Sequence, residues 1–232
     1  MEPAFLLLIW YLLTSQFPLA MSAALTQPKL PLKTWYSPEE YLDFDNAAEG
    51  RFEYMDGRIT PVGQPDMVNV LDPTFRAGAS PAHYRLANRL AGLLFSRLQN
   101  GCEAASSDAR VHIPITRAYT YPDLVIVCGK PEYLDPEAAI PSLTNPKVII
   151  EILSESTADY DRMGKFMRYR SIETLQEYVL IDSRQLAVEV FSRNESGWNY
   201  APANELTDAL VLASVGVSLS LGELYAGILG EA

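Results

Sequence analysis

Two acids stand where apolar strands should carry none. The segments YPDLVIVCG (residues 121–129) and KVIIEILS (residues 147–154) are apolar at almost every position apart from Asp123 and Glu151, as strands covered on both faces are. In the second, alternation puts Ile149 and Leu153 on the face of Glu151, and Ile150 and Ile152 on the other. Burying an ionised carboxylate without a partner costs several kcal/mol, comparable with the stability of a whole domain. Each acid is therefore expected to meet a cation, strong hydrogen bonds or a raised pKa. One Asp held by loop amides, or one Glu in a salt bridge, is the ordinary structural outcome. Two buried acids in neighbouring apolar strands point instead to the carboxylate core of a divalent-metal site. Oxygen donors of this kind suit Mg²⁺ or Mn²⁺ rather than Zn²⁺. Neither His83 nor His112 has a partner at ligand spacing, and there is no Cys/His cluster.

Complementary charge follows in the segment after Glu151. Asp161, Lys165 and Tyr169 recur at i, i+4 and i+8 and share a face of a helix expected over about Thr157–Ser171. Arg162, Arg168 and Arg170 make that helix a locally basic surface. In isolation the pattern would be a solvated amphipathic helix with an Asp161–Lys165 pair worth a few tenths of a kcal/mol. Its position directly after a buried Glu favours a role for Lys165 beside that carboxylate. His83, on the apolar face of its own helix, reads as a satisfied histidine at the core edge.

The elements that must position these residues follow from capping and periodicity. Ser37-Pro38-Glu39-Glu40 starts a helix with a capping box, running to about Phe44. RFEYMDGRIT alternates around Asp56-Gly57, a two-residue hairpin signal. Residues 61–79 read as a long loop. Ser80-Pro81 opens a helix to about Gln99 with Leu86, Leu90 and Leu94 on one face. Strands are expected at 109–114, in the two acid-bearing segments, and in EYVLID, LAVEVFSR and WNYAP as an antiparallel meander. Residues 130–146 read as a further loop. Ser220-Leu221-Gly222-Glu223 is a capping box before a terminal helix. The order indicates one mixed α/β (α+β) domain.

Composition bounds the functions available. The 232-residue chain is 48% hydrophobic and 20% charged, with a net charge of −11. That balance argues against non-specific coating of nucleic acid, which basic side chains must drive, but leaves room for an enzyme touching one phosphodiester. Two cysteines, Cys102 and Cys128, are too few for a disulfide framework and read as buried thiols in a reducing compartment, hence a cytoplasmic protein. Residues 4–13 (AFLLLIWYLL) are too short to span a bilayer, and Glu2 precedes them with no Lys or Arg, the wrong charge for an export signal. Translation from Met21 is the favoured account and a short export signal the second. Residues 1–30 are set apart from a core domain over 31–232, and no membrane partner is expected.

The string YPDLVIVCG…NPKVIIEILSESTADYDRMGKFMRYRSIETLQEYVLID resembles the Uma-two family of restriction-endonuclease-like proteins, a branch of the PD-(D/E)xK nuclease superfamily. The likeness extends through SPEEYL, RFEYMDGRI, GASPAHYRLANRLAGLL, SSDARVHIP and LSLGELY, from about Trp35 to Ile228. It implies a restriction-endonuclease-like core, a mixed sheet flanked by helices. It also implies metal-dependent phosphodiester hydrolysis, with DNA the expected substrate. Asp123 matches the Asp of the PD element and Glu151 the acid of the (D/E)xK element. The Lys expected two residues on is Leu153, and Lys165 takes its place from the next helix. Glu53 and Asp108 match acidic positions that could be outer metal ligands, and the loop at 61–79 is longer than the family pattern.

On that reading Asp123 and Glu151 hold the cation with the Ile152 carbonyl, Lys165 orients water or neutralises phosphate, and Tyr169 bonds phosphate or packs. A homodimer is carried as an expectation, since many such nucleases pair to cut two strands. The rival reading is a non-catalytic binding or assembly module with a nuclease-like fold, which the acidic balance favours. A glycosidase, which also uses paired carboxylates, is a distant third.

Overall fold

The computed structural model describes residues 30–68, 72, 78–155, 158 and 160–229. Helix α1 (Pro38–Ala47) opens on the expected box: Ser37 Oγ accepts from the Glu40 N–H and the Glu40 carboxylate accepts from the Ser37 N–H. Strands β1 (Phe52–Met55) and β2 (Arg58–Pro61) turn at Asp56 and Gly57, both with positive φ (50° and 78°), as a primed hairpin turn requires. A Cβ at Gly57 would lie 1.9 Å from the Trp35 ring, so only glycine fits. With β4 (Val111–Ile113) and β5 (Ala118–Thr120) these strands form a four-stranded sheet in the order β2-β1-β5-β4. Helix α1 packs on it through Tyr41 and Phe44, against Phe52, Tyr54, Ile59 and Tyr119.

The second sheet carries the acid-bearing strands at its centre. Its order is β10-β9-β8-β7-β6-β3, built from β3 (Cys102–Ser106), β6 (Leu124–Cys128), β7 (Val148–Leu153), β8 (Glu177–Asp182), β9 (Val188–Asn194) and β10 (Gly197–Ala203). All neighbours are antiparallel except β7 and β8. A parallel pair needs a long crossover, and here it contains a π-helical turn (Tyr160–Lys165) running into α3 (Phe166–Tyr169). The crossover covers the sheet face that holds Ile149 and Leu153, through Tyr169, Ile172 and Leu175. The opposite face, with Ile150 and Ile152, is covered by Leu86, Leu90 and Leu94 of α2 (Pro81–Arg97). Burying each of those leucines stabilises the layer by about 1.5–3 kcal/mol.

Several elements depart from the sequence reading. Strand β3 was not expected: CEAAS has no apolar alternation because it is a largely exposed edge strand. The hairpin of β11 (Ala209–Leu212) and β12 (Val217–Ser220) was also unassigned, although Leu210, Leu212, Val217 and Leu219 alternate inward. Ser220 precedes the short α4 (Leu221–Tyr225) without a side-chain capping bond, since it ends β12. The helix expected over 157–171 is split into π and α turns, and Ser156, Thr157 and Asp159 at its start lie outside the described residues, as do 1–29 and parts of the loop at 61–79.

The cysteines are corrected outright. Cys102 and Cys128 are register partners across β3 and β6 and are joined by a disulfide. With no free thiol left, the cysteines do not point to a reducing compartment. Among the described residues no helix is long and apolar enough to cross a membrane.

Candidate active site

Strand register brings the two leading acids together. Leu124 pairs with Ile150 in the antiparallel β6–β7 ladder, and one further step sets Asp123 opposite Glu151. The Asp123 N–H reaches Glu151 Oε2 at 3.4 Å, and the Ile152 N–H donates to Asp123 Oδ2 at 2.7 Å. Asp123 is less enclosed than its sequence suggested. It immediately precedes β6 at the cleft floor, with 21% of its side chain exposed, whereas Glu151 is buried.

The same logic delivers Glu53. Tyr54 pairs with Tyr119 across β1 and β5, so Glu53 lies beside the chain at 120–121 and accepts from the Tyr121 N–H at 3.1 Å. All four residues of β1 are buried, so the exposed face that simple alternation predicted does not exist there. The crossover then lays Lys165 among the acids: its Nζ is 3.0 Å from Glu53 Oε1, 3.1 Å from Glu151 Oε1 and 3.3 Å from Asp161 Oδ1. Tyr169 donates to Glu151 Oε1 at 3.0 Å and accepts from the Thr120 hydroxyl at 2.9 Å. The Asp161–Lys165–Tyr169 face thus meets Glu151. π-helical turns of this kind often mark functional sites.

One cation serves three buried carboxylates, and the electrostatics are lopsided. Burial, with Asp161, Asp123 and Glu53 adding repulsion, pushes Glu151 well above the usual carboxylate range despite Lys165. Burial likewise raises Glu53, again against Lys165. Burial would lower Lys165, but Glu151, Glu53 and Asp161 outweigh it and hold the ammonium well above its ordinary value. A second cation near Asp123 and Glu151 would relieve this excess of negative charge.

His83 is the functional candidate that sequence reasoning passed over. Its Nε2 lies 3.3 Å from Asp123 Oδ2. Burial would lower its pKa, but the hydrogen bond and charge of Asp123 raise it on balance. The Ser80 cap, whose hydroxyl accepts from the His83 N–H at 3.3 Å, fixes the first turn that aims the ring. Spacing alone could not reveal a partner forty residues away. Asp108 behaves differently from expectation: its side chain is 86% exposed, its ion pair is with Arg51, and no contact joins it to the cluster. The basic surface is largely paired as well, with Arg162 on Glu189 and Arg168 on Asp56.

Removing the Tyr169 hydroxyl tests how much this network holds. Tyr169→Phe leaves Thr120 Oγ1 and one lone pair of Glu151 without their partner, so urea denaturation should show a loss of about 1–2 kcal/mol. An unchanged midpoint would mean that the hydroxyl is dispensable.

His83, Asp123, Glu151, Asp161 and Lys165 line a cleft of about 1760 Å³ between α2, β3 and the acid-bearing strand ends. The family model “Uma2: Putative restriction endonuclease” matches residues 38–222. The chain is 32% identical over 197 residues to “Uncharacterized protein slr1290” of Synechocystis sp., covering 83% of this chain and 92% of that one. It is 34% identical over 155 residues to “Uncharacterized protein sll1609” of the same organism, covering 66% and 78%. A crystal structure from Anabaena variabilis, titled as “a putative nuclease belonging to DUF820”, shares the fold at a TM-score of 0.64 and 18% identity, over 83% of this chain and 99% of that one. With its family model matched from α1 to α4 and its relatives matched over most of their length, this chain belongs to the Uma2 family.

Proposed function

We propose that the protein is a divalent-metal-dependent nuclease that hydrolyses phosphodiester bonds, with DNA as its substrate. The observation that carries this reading is the apposition of Asp123 and Glu151 at the cleft floor, with Lys165 3.1 Å from the Glu151 carboxylate. The family's description as a restriction endonuclease supports it.

The donor set fits a hard cation such as Mg²⁺ or Mn²⁺. Asp123 Oδ1 makes no hydrogen bond among the described residues, and Glu151 Oε2 receives only the long one from the Asp123 N–H. Asp123, Glu151 and the Ile152 carbonyl would hold it. Among the described residues no group of three or more His, Cys, Asp or Glu side chains is placed to hold a metal ion, so water and phosphate oxygens would have to complete the coordination that two carboxylates and a carbonyl begin. When bound, the metal supplies Lewis-acid stabilisation of the charge that builds on phosphorus oxygens and a more acidic water.

The chain's own residues supply position and charge. The Ile152 N–H and His83 Nε2 both lie against Asp123 Oδ2, leaving Oδ1 toward the cleft. Lys165 and Tyr169 hold Glu151 Oε1, leaving Oε2 toward Asp123. Lys165 remains charged across the working pH range and stabilises the anionic transition state by its fixed position. Glu53 and Asp161 also hold Lys165, at 3.0 and 3.3 Å from its Nζ.

Titration with Mg²⁺ or Mn²⁺ tests the site, and cleavage of plasmid and oligonucleotide DNA tests the activity. Saturation to about 100 times the dissociation constant should stabilise the wild type by about 2.7 kcal/mol, a rise in melting temperature of about 5–10 °C for a chain of this size. Glu151→Gln should abolish both that rise and cleavage. A wild type that neither cuts DNA nor responds to either metal would instead support the non-catalytic module.

A further inference from the structure

We propose that the cleft takes single-stranded DNA with its bases turned inward, stacking on Tyr84 and Phe95 of α2; this rests on the nuclease reading and names its substrate class. Two independent observations carry it, one apolar and one electrostatic.

The first is an aromatic pair with no ring partner among the described residues. Phe95 is 89% exposed and Tyr84 48% exposed, and both line the cleft that contains Asp123 and Glu151. Eleven residues separate them, three helical turns or about 16 Å, so they address two bases of one strand with nucleotides between. The cleft-lining positions between them are small: Ala87, Asn88, Ala91 and Gly92. A Cβ added at Gly92 would meet nothing within 4 Å. Tyr84 directly follows His83, which touches Asp123. A strand laid along this face therefore leads from the reacting phosphate toward Phe95.

The second observation is where the cations are. Among the described residues, seven acidic side chains line the cleft against three basic ones, Arg51, Lys165 and Arg184. Each of the three is already paired: Arg51 with Asp108, Lys165 with the buried acids, and Arg184 with Asp182. The arginines of α2 turn away from the cleft. Arg85 and Arg89 donate to the Gly227 and Ala226 carbonyls, and Arg97 pairs with Glu223 at 2.7 Å. A duplex presents two ridges of phosphate and is held by neutralising them. The described residues of this cleft offer little for that purpose beyond the reacting phosphate. A single strand can turn its phosphates to solvent and gain its affinity from base stacking, worth about 1–3 kcal/mol per base. Aromatic platforms with little free basic surface favour that ligand over a duplex.

The test is fluorescence anisotropy of full-length protein in Ca²⁺, with a labelled oligothymidylate and a labelled mixed-sequence duplex of equal length. The single strand should bind more tightly than the duplex. Its affinity should fall only weakly with salt, with a logarithmic slope of about −1, set by one or two phosphate contacts. Tyr84→Ala and Phe95→Ala, both at exposed positions that should leave the melting temperature unchanged, should each weaken single-strand binding by roughly 5- to 100-fold. Tighter duplex binding, or variants with wild-type single-strand affinity, would overturn the proposal. So would a Phe95→Ala change confined to sedimentation behaviour, which would assign the surface to a second copy of this chain. Duplex cleavage unaffected by both variants would sink this inference and leave the nuclease reading intact. Single strands bound through both aromatics but never cut would do the reverse.

Discussion

Replacing Lys165 by Met should destabilise the protein by about 3–5 kcal/mol at pH 8, the cost of leaving buried charge without its partner, and by distinctly less at pH 5. The pH dependence follows from the carboxylates. Glu151 and Glu53 have folded-state pKa values raised above their unfolded ones, chiefly by burial. An acid shifted in that direction contributes stability that is whole below its unfolded pKa, near 4.5, and is lost as pH rises through its folded value. The wild type without metal should therefore weaken as pH climbs out of the carboxylate range. Lys165, shifted upward itself, keeps its own contribution up to and beyond pH 10.5. Without it the acids must either ionise unpaired or remain protonated against a basic solution, and both cost more at pH 8. Urea denaturation at the two pH values reads the difference directly. Equal losses would mean that Glu53 and Glu151 are solvated well enough to need no cation.

Arg110→Met should cost a similar 3–5 kcal/mol for a related reason in a different place. Arg110 and Asp45 are essentially inaccessible, with 2.8 Å between Nη1 and Oδ2. Arg110 also donates to Ser142 Oγ at 2.9 Å and to the Ile140 carbonyl. Asp45 accepts from the Phe52 N–H at 3.0 Å and the Tyr121 hydroxyl at 2.5 Å. One ion pair thus ties α1, β1, β4, the loop at 140–142 and the residue two before Asp123. Burial already raises Asp45 despite Tyr121 and Arg110, so losing the guanidinium strands a carboxylate that has no route to water. For a chain of this length the loss corresponds to a melting temperature lower by about 6–20 °C. Arg110→Met combined with Asp45→Asn should be less damaging than the two changes summed, because the double variant strands no charge. Strict additivity in thermal or urea unfolding would show that the pair is not coupled.

The site was legible where a residue contradicted its surroundings and obscure where geometry alone recruited it. Glu151 stood out because every other residue of VIIEIL belongs in a core, and Lys165 because it falls one turn after Asp161 in the segment that follows. Glu53 entered only through family resemblance, since the alternation of RFEYMDGRIT does not reveal a strand buried on both sides. His83 was visible on the apolar face of its helix, yet its partner depends on how α2 lies over β6 and β7. The Cys102–Cys128 bond needed the β3–β6 register, which depends on an edge strand with no hydrophobic signature. The β11–β12 hairpin, by contrast, could have been read from ALVL and GVSLS around Gly216, whose φ of 67° closes the turn.

The disulfide also shapes how the cleft can breathe. An exposed edge strand is where a sheet opens most readily, because few buried contacts resist local unfolding. Strand β3 is such an edge, and it lines the cleft. Its first residue is covalently fastened to Cys128, whereas its last, Ser106, is held by non-covalent contacts, the Leu124 ladder and, beside it, Arg51 on Ser107. Opening is thus graded along the strand: stiff at the end that follows α2, and yielding beside Leu124, one residue from Asp123. A ligand entering this cleft meets a wall whose covalent fastening lies at the end away from the acids.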